Sequence, residues 1–270
     1  MPELPEVEIT RRGILSRIKG RTSTGALVRE ARFRKPAPKN LSNLIQGQEL
    51  LDIERRGKYL IWRFEHGSIV SHLGMSGVMR VVNPLETPPV KHDHIDLNFG
   101  DLTVRYHDPR RFGFLVWLDE SENPYEMAEI RKLGPEPFSD DFNAKDLFAS
   151  LSKVSVPIKE ALLSGKHVVG VGNIYPFVPA NLLSKKRLEK LVNAVREVLE
   201  ISLQEGGSTL RDFVSAEGEK GYFTLSACVY GREGEPCVKC GRPIKRAVQA
   251  GRATYYCSLC QRMTRGAAQK

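Results

Sequence analysis

The chain has 270 residues, 41% of them hydrophobic, and a formal net charge of +9. That length suits two ordinary domains or one large one, and no apolar run approaches the roughly 20 residues that a membrane helix needs. The opening, Met1-Pro2-Glu3-Leu4-Pro5-Glu6, has neither the basic nor the apolar region of a signal peptide, so the protein is expected in the cytosol, in a bacterium with the nucleoid. The charge is unevenly spread: residues 232–270 hold nine Lys/Arg against two acids, Glu233 and Glu235. Such a local excess suits phosphate neutralisation, and it also suits a solvated tail.

The first predicted element is a helix. Pro5 fits its first turn, Glu6 and Glu8 complement the positive end of its dipole, and Val7, Ile14, Leu15 and Ile18 share one face. Strands follow. Residues 59–64 and 68–71 flank a turn at Glu65-His66-Gly67, residues 94–98 and 102–106 flank Phe99-Gly100-Asp101, and residues 112–118 form another. Short strands with glycine turns predict an antiparallel β-sandwich over roughly the first half. Two prolines and a glycine near Leu133-Gly134-Pro135-Glu136-Pro137 read as a linker. Beyond it Leu188, Leu191, Val192, Val195, Val198, Leu199 and Ser202 recur at helical spacing, and Gly206-Gly207 stop that helix.

The last segment carries four of the five cysteines, as Cys237-Val238-Lys239-Cys240 and Cys257-Ser258-Leu259-Cys260. Each pair can place two thiolates on one tetrahedral ion, and the stretch between is hairpin-sized. Two disulfides or two redox pairs are the alternative. In a cytosolic chain this spacing points to one structural zinc, which replaces a core that so small a module cannot build. Cys228 is left over, as a buried or bystander thiol. Lys239, Arg242, Lys245, Arg246 and Arg252 make the ribbon basic, which suits a nucleic-acid reader of several kinds.

Met1 before a small residue is commonly excised, which would leave Pro2 with a free secondary amine. An α-amino group titrates near ~8 against ~10.4 for lysine, so more of it is nucleophilic at neutral pH. Attack on a sugar carbon gives a cationic iminium, the electron sink that an elimination needs. Glu3 beside it can move protons if burial raises its pKa. Taken alone, proline at position 2 is common and means little.

The whole pattern resembles the formamidopyrimidine-DNA glycosylase family. The start from Met1 to Glu8 matches nearly letter for letter, followed in order by Arg56-Gly57-Lys58-Tyr59-Leu60, His72-Leu73-Gly74-Met75-Ser76-Gly77, Lys91-His92-Asp93-His94 and Asp108-Pro109-Arg110-Arg111-Phe112-Gly113. Leu133-Gly134-Pro135-Glu136-Pro137, Val168-Val169-Gly170-Val171-Gly172-Asn173-Ile174-Tyr175, Gly206-Gly207-Ser208-Thr209-Leu210 and Val229-Tyr230-Gly231-Arg232 come next, and the cysteine ribbon closes the chain. The resemblance implies a bifunctional DNA glycosylase and AP lyase. It would remove oxidised purines such as 8-oxoguanine and formamidopyrimidines through a Schiff base on Pro2, then cleave the strand by β,δ-elimination. Pro2 would be the nucleophile, Glu3 would assist sugar-ring opening, and Lys58 would contact the lesion-strand phosphates. Met75, Arg110 and Phe112 would fill the hole left by the flipped base, where a wedge restores stacking and a guanidinium bonds the orphan base. Without the family, Met75 and Phe112 read as core. His92, Arg110, Lys159, Asn173 and Arg252 would contact DNA. Zn2+ would sit on Cys237, Cys240, Cys257 and Cys260, and the partner would be double-stranded DNA bound by a monomer.

The implied fold is α+β and multidomain: a catalytic β-sandwich with a leading helix over residues 1–132, a linker over 133–142, a helix–two-turn–helix domain over 143–227 and a zinc ribbon over 228–270. The chain departs from the family after Tyr175, where Pro176-Phe177-Val178-Pro179-Ala180-Asn181 replaces a helical limb and about ten residues are missing. Thr224-Leu225-Ser226-Ala227-Cys228 is also less polar than the family's run. Two other functions fit parts of the pattern. One is a catalytically impaired protein that binds damaged DNA, favoured by the shortened limb and opposed by intact Pro2, Glu3 and Lys58. The other is an endonuclease VIII-like glycosylase for oxidised pyrimidines, opposed by Leu4 and by the Met75 and Arg110-to-Phe112 motifs.

Overall fold

A computed structural model describes residues 2–172, 180–207, 228–249 and 251–261. The chain divides into two compact units, Met1–Lys132 with Ser202–Thr224, and Leu133–Ile201 with Leu225–Lys270. No described helix is long and apolar enough to cross a membrane.

The first unit opens with α1 (Leu4–Ile18). Glu6 reaches back to accept the Glu3 N–H at 2.8 Å, closing the first turn that Pro5 also favours. Leu4, Val7, Ile14 and Ile18 are buried, as the helical spacing predicts. The strands β1 (Gly25–Val28), β2 (Leu50–Arg56), β3 (Tyr59–Phe64), β4 (Gly67–His72), β5 (Val78–Val82), β6 (Asp93–Phe99), β7 (Leu102–His107) and β8 (Phe114–Asp119) follow, with a short α2 (Leu41–Ile45) before β2. They form two antiparallel four-stranded sheets, ordered β1-β6-β7-β5 and β2-β3-β4-β8. One apolar core is shared by residues of both sheets and of α1, which is the expected β-sandwich with its leading helix. Trp62 is fully buried in that core, and its indole N–H donates to Ser71 Oγ at 3.0 Å, so its one polar atom is satisfied.

The strand expected at 112–118 begins only at Phe114. Arg111 adopts a left-handed φ of 54°, and Gly113 gives its N–H to the Asp108 carboxylate at 3.0 Å instead of to a ladder. The local carboxylate wins over β-propensity, and Phe112 is left in a loop.

In the second unit α3 (Ala144–Leu151) starts at Asn143, whose side chain accepts the Asp146 N–H at 3.0 Å. α4 (Ile158–Leu163) and α5 (Lys185–Gln204) complete its helices among the described residues. On α5, Leu188, Val192, Val195 and Leu199 bury one stripe against Phe142, Leu147, Leu151, Ile158, Leu162 and Val168. Residues 133–142, expected as a linker, are tied to this unit. Gly134 donates to Gly165 O at 2.8 Å, and the Arg196 guanidinium donates to the carbonyls of Pro137, Ser139 and Phe142 at 2.8–3.0 Å. The ribbon strands β9 (Lys245–Gln249) and β10 (Arg252–Tyr256) pair antiparallel. Gly251, at φ +71°, makes the tight turn that returns the chain into β10. Asn173 and residues 174–179 lie outside the described residues, as does the run at 224–227; the Ala180–Leu182 turn beyond the first gap is fixed by Ala180 and Asn181 donating to Val156 O and Val154 O at 3.0 and 3.1 Å.

Candidate active site

Pro2 is buried at the head of α1. Beside it, Glu3 is ion-paired with the Lys58 ammonium, which the β2–β3 turn presents. Both side chains are about three-quarters buried, at 22% and 24% exposure. Burial raises the Glu3 carboxyl above the ordinary carboxylate range, although the Lys58 ammonium pulls it down. A carboxyl raised by burial holds its proton more readily than an exposed one, which suits a proton donor.

His72 pairs with Tyr59 across β3–β4, and their rings lie 4.8 Å apart. Its Nδ1 accepts the Gly74 N–H at 3.0 Å, which assigns the proton to Nε2. Burial, together with the Lys58 and Arg34 charges, pushes its pKa down to about 4, so the ring is neutral at physiological pH.

Met75 and Phe112 are 41% and 46% exposed, so neither is a core residue, and the Arg110 guanidinium stacks over the Phe112 ring at 4.6 Å. Their two loops touch through backbone. A Cβ on Gly74 would lie 2.3 Å from Gly113 N, and one on Gly113 would lie 2.4 Å from His72 O, so only glycine permits this approach. Fully buried Asp108 fastens the pair: one oxygen accepts Ser76 Oγ–H at 2.7 Å and Arg110 N–H at 3.3 Å, the other Gly113 N–H.

His92 sits at the foot of β6 with a left-handed φ of 75°. Its ring lies 6.0 Å from the rings of His94 and His107, and Asp108 N–H donates to its carbonyl at 3.1 Å. Partial burial and the Lys91 charge lower its pKa, so the ring favours its neutral form.

The four cysteine sulfurs of the ribbon lie within 4.8 Å of one another. The Cys260 N–H donates to Cys257 Sγ at 3.4 Å, the amide-to-sulfur contact that favours a thiolate. Four sulfurs converging with no carboxylate or histidine among them fit a closed tetrahedral zinc site with no open position. Cys237, Cys240, Cys257 and Cys260 hold one structural Zn2+, whose chemistry is to cross-link the ribbon. Cys228 is exposed rather than buried. Arg252 is exposed at the start of β10, whereas Lys159 is only 2% exposed, with its ammonium turned onto the ribbon backbone.

Three of these features were not assigned roles from sequence: His72, Ser76 and Asp108. All lie inside motifs that were legible as strings, and the signal was a polar residue followed closely by a glycine: Gly74 after His72, Gly77 after Ser76 and Gly113 after Asp108. Their function depends on a contact between β4–β5 and β7–β8 loops, which spacing along the chain does not show.

The N-terminal domain model of formamidopyrimidine-DNA glycosylase matches residues 1–115, its H2TH domain model residues 133–214, and the model of a zinc finger found in FPG and IleRS residues 234–262. Formamidopyrimidine-DNA glycosylase of Acidithiobacillus ferrooxidans is 48% identical over 274 residues, covering 97% of this chain and 100% of the relative. The Bordetella petrii protein of the same name is 48% identical over 275 residues, with the same coverage. Among solved structures, MutM (Fpg) from Thermus thermophilus is 37% identical with a TM-score of 0.83, covering 96% of this chain and 98% of that one. Lactococcus lactis Fpg in complex with abasic-site DNA is 32% identical with a TM-score of 0.88, covering 97% and 100%. A buried proline at position 2 beside a carboxyl–ammonium pair, joined in one chain to a basic four-cysteine ribbon, fits a DNA-processing enzyme. The chain belongs to the formamidopyrimidine-DNA glycosylase family.

Proposed function

We propose that this protein is a bifunctional DNA glycosylase and AP lyase that removes oxidised purines from double-stranded DNA at the bacterial nucleoid. The observation that carries the proposal is the Glu3–Lys58 pair next to buried Pro2, with Glu3 raised by burial. Related complexes support it: Lactococcus lactis Fpg has been solved with N7-benzyl-Fapy-dG DNA and with abasic-site DNA. The same relative has also been solved with DNA holding an oxidised pyrimidine, so pyrimidine lesions belong in the substrate panel.

With Met1 removed, the Pro2 nitrogen attacks C1′ of the damaged nucleotide. The bond from C1′ to the base breaks, and the base leaves with the proton given up by the amine. Glu3 then protonates O4′, the C1′–O4′ bond opens, and a cationic iminium joins Pro2 to C1′. Loss of a C2′ proton expels the 3′ phosphate, and loss of a C4′ proton expels the 5′ phosphate. Lys58 contacts the lesion-strand phosphates. Met75, Arg110 and Phe112 occupy the gap in the duplex while the base is extruded. His92, Asn173 and Arg252 contact the DNA backbone. The zinc takes no part in these steps.

Borohydride trapping on an 8-oxoguanine duplex tests the reading. We expect a covalent protein–DNA adduct that disappears when the terminal amine is blocked. An undiminished adduct with Met1 retained would move the nucleophile elsewhere, with Lys58 the next suspect.

A further inference from the structure

Lys159, on α4, is buried to 2% exposure, and among the described residues no carboxylate pairs with it. Its ammonium donates to the backbone carbonyl of Ala253 at 3.2 Å and to the hydroxyl of Thr254. Both acceptors belong to β10 and follow Arg252 directly. Thr254 is itself 2% exposed, so water cannot replace the contact. Burying an unpaired ammonium is costly, and a leucine or methionine would fill the same space without that cost. The lysine therefore contributes its N–H donors.

Those donors reach the end of the ribbon opposite its cysteine cluster. β10 starts just after the Gly251 turn, and Arg252 pairs there with Gln249, the last residue of β9. The four cysteines hold the open end of the hairpin, so motion of the opposite, turn end would swing the Arg252 guanidinium. Tying residues 253 and 254 to α4 removes that freedom.

We propose that Lys159 is a positioning residue for Arg252: its ammonium locks the first turn-proximal residues of β10 onto α4, so that Arg252 meets a DNA phosphate in a fixed place. This rests on the reading of Arg252 as a phosphate contact. It replaces the direct phosphate contact expected of Lys159, because an ammonium enclosed in this way has no face to offer DNA.

The test uses the full, zinc-loaded chain, with duplex affinity measured across a range of salt and excision measured on an 8-oxoguanine duplex. Arg252→Ala should weaken binding and flatten the salt slope by about one unit. Thr254→Val leaves every charge in place; it should weaken binding about threefold with the slope kept, and raise KM more than it lowers single-turnover rate. Lys159→Met should weaken binding about tenfold. In an Arg252→Ala background neither change should cost anything more, since additivity fails when two residues act through one contact. Zinc content and Tm report whether the ribbon is intact, and if Lys159→Met loses the metal, Thr254→Val carries the test. A further loss of about one slope unit from Lys159→Met in the Arg252→Ala background would make Lys159 a phosphate contact and overturn the proposal. So would a neutral Thr254→Val. An unchanged slope for Arg252→Ala alone would remove the phosphate contact itself, a separate failure.

Discussion

Ser76 and Asp108 are joined by a 2.7 Å hydrogen bond that spans two loops of the first unit. One loop carries Met75 and the other carries Arg110 and Phe112, and Asp108 also gathers the N–H groups of Arg110 and Gly113. Removing the cross-loop bond with Ser76→Ala leaves a buried carboxylate oxygen with one donor fewer, a cost of about 2 kcal/mol. We expect single-turnover excision to fall about tenfold, with affinity for undamaged duplex changed much less. Equal losses in both measurements would mean that Ser76 supports folding and nothing more specific.

Lys58 and Glu3 are ion-paired neighbours. The Lys58 ammonium lowers a carboxyl that burial has raised, so Lys58→Met should send the Glu3 pKa further up. The limb of the pH–rate profile where activity falls with loss of the Glu3 proton should then move to higher pH, beneath a lower maximum. Single-turnover rates from pH 5 to 9 measure it, and a limb that stays in place or moves down would uncouple the two residues.

The ribbon should lose its structure with its metal. Freshly purified protein should hold about one zinc per chain, and chelation should lower Tm and abolish tight duplex binding. Cys257→Ser should do the same without a chelator. Metal analysis returning less than about half an equivalent would count against the site.

Glu8 links acid stability to α1. Burial alone would raise its pKa, but hydrogen bonds from Arg11 and Arg12 and the charge of Arg55 hold it at about 2, below its ordinary 4.5. A depressed folded value stabilises the protein fully above pH 4.5 and loses that contribution as the pH falls toward about 2. Glu8→Gln should lower stability by about 2 kcal/mol at neutral pH and flatten the acid limb of a Tm–pH curve. An unchanged acid limb would place the sensitivity in other carboxylates, such as Asp96.

Lengthening the chain after Tyr175 probes its departure from the family. The Acidithiobacillus ferrooxidans relative is matched over 274 residues while taking in 97% of a 270-residue chain, so it carries residues that this chain lacks. Restoring about ten residues there should raise duplex affinity and Tm, and lower KM more than it changes single-turnover rate. No gain in either would show that residues 176–181 already perform the task in another way.

The sandwich was legible because its strands alternate and its turns are marked by glycine, as at Gly67 and Gly100. The ribbon was legible because four thiols at fixed spacing have few other uses. Lys159 shows where legibility ends: its letter and its neighbours suit a phosphate contact, and only the packing of α4 on β10 reveals that its charge is enclosed. Phe112 shows a second limit. Its run reads as strand from residue 112, yet a buried carboxylate four positions earlier captures the backbone first. Both cases turn on contacts between segments, for which a single sequence holds no record.

The paired glycines have a consequence for how this enzyme can diversify. Gly74 and Gly113 admit no side chain, since a Cβ at either would strike backbone within 2.5 Å, and Asp108 has no spare room to change. The side chains that project beyond them, Met75, Arg110 and Phe112, are all exposed. Mount and tool are therefore separate: if these side chains fill the gap beside a flipped base, as proposed, the tips can be exchanged for others that favour a different orphan base while the joint beneath them stays unchanged. A library restricted to positions 75, 110 and 112 should keep its fold throughout, which makes these three positions the economical place to engineer opposite-base preference.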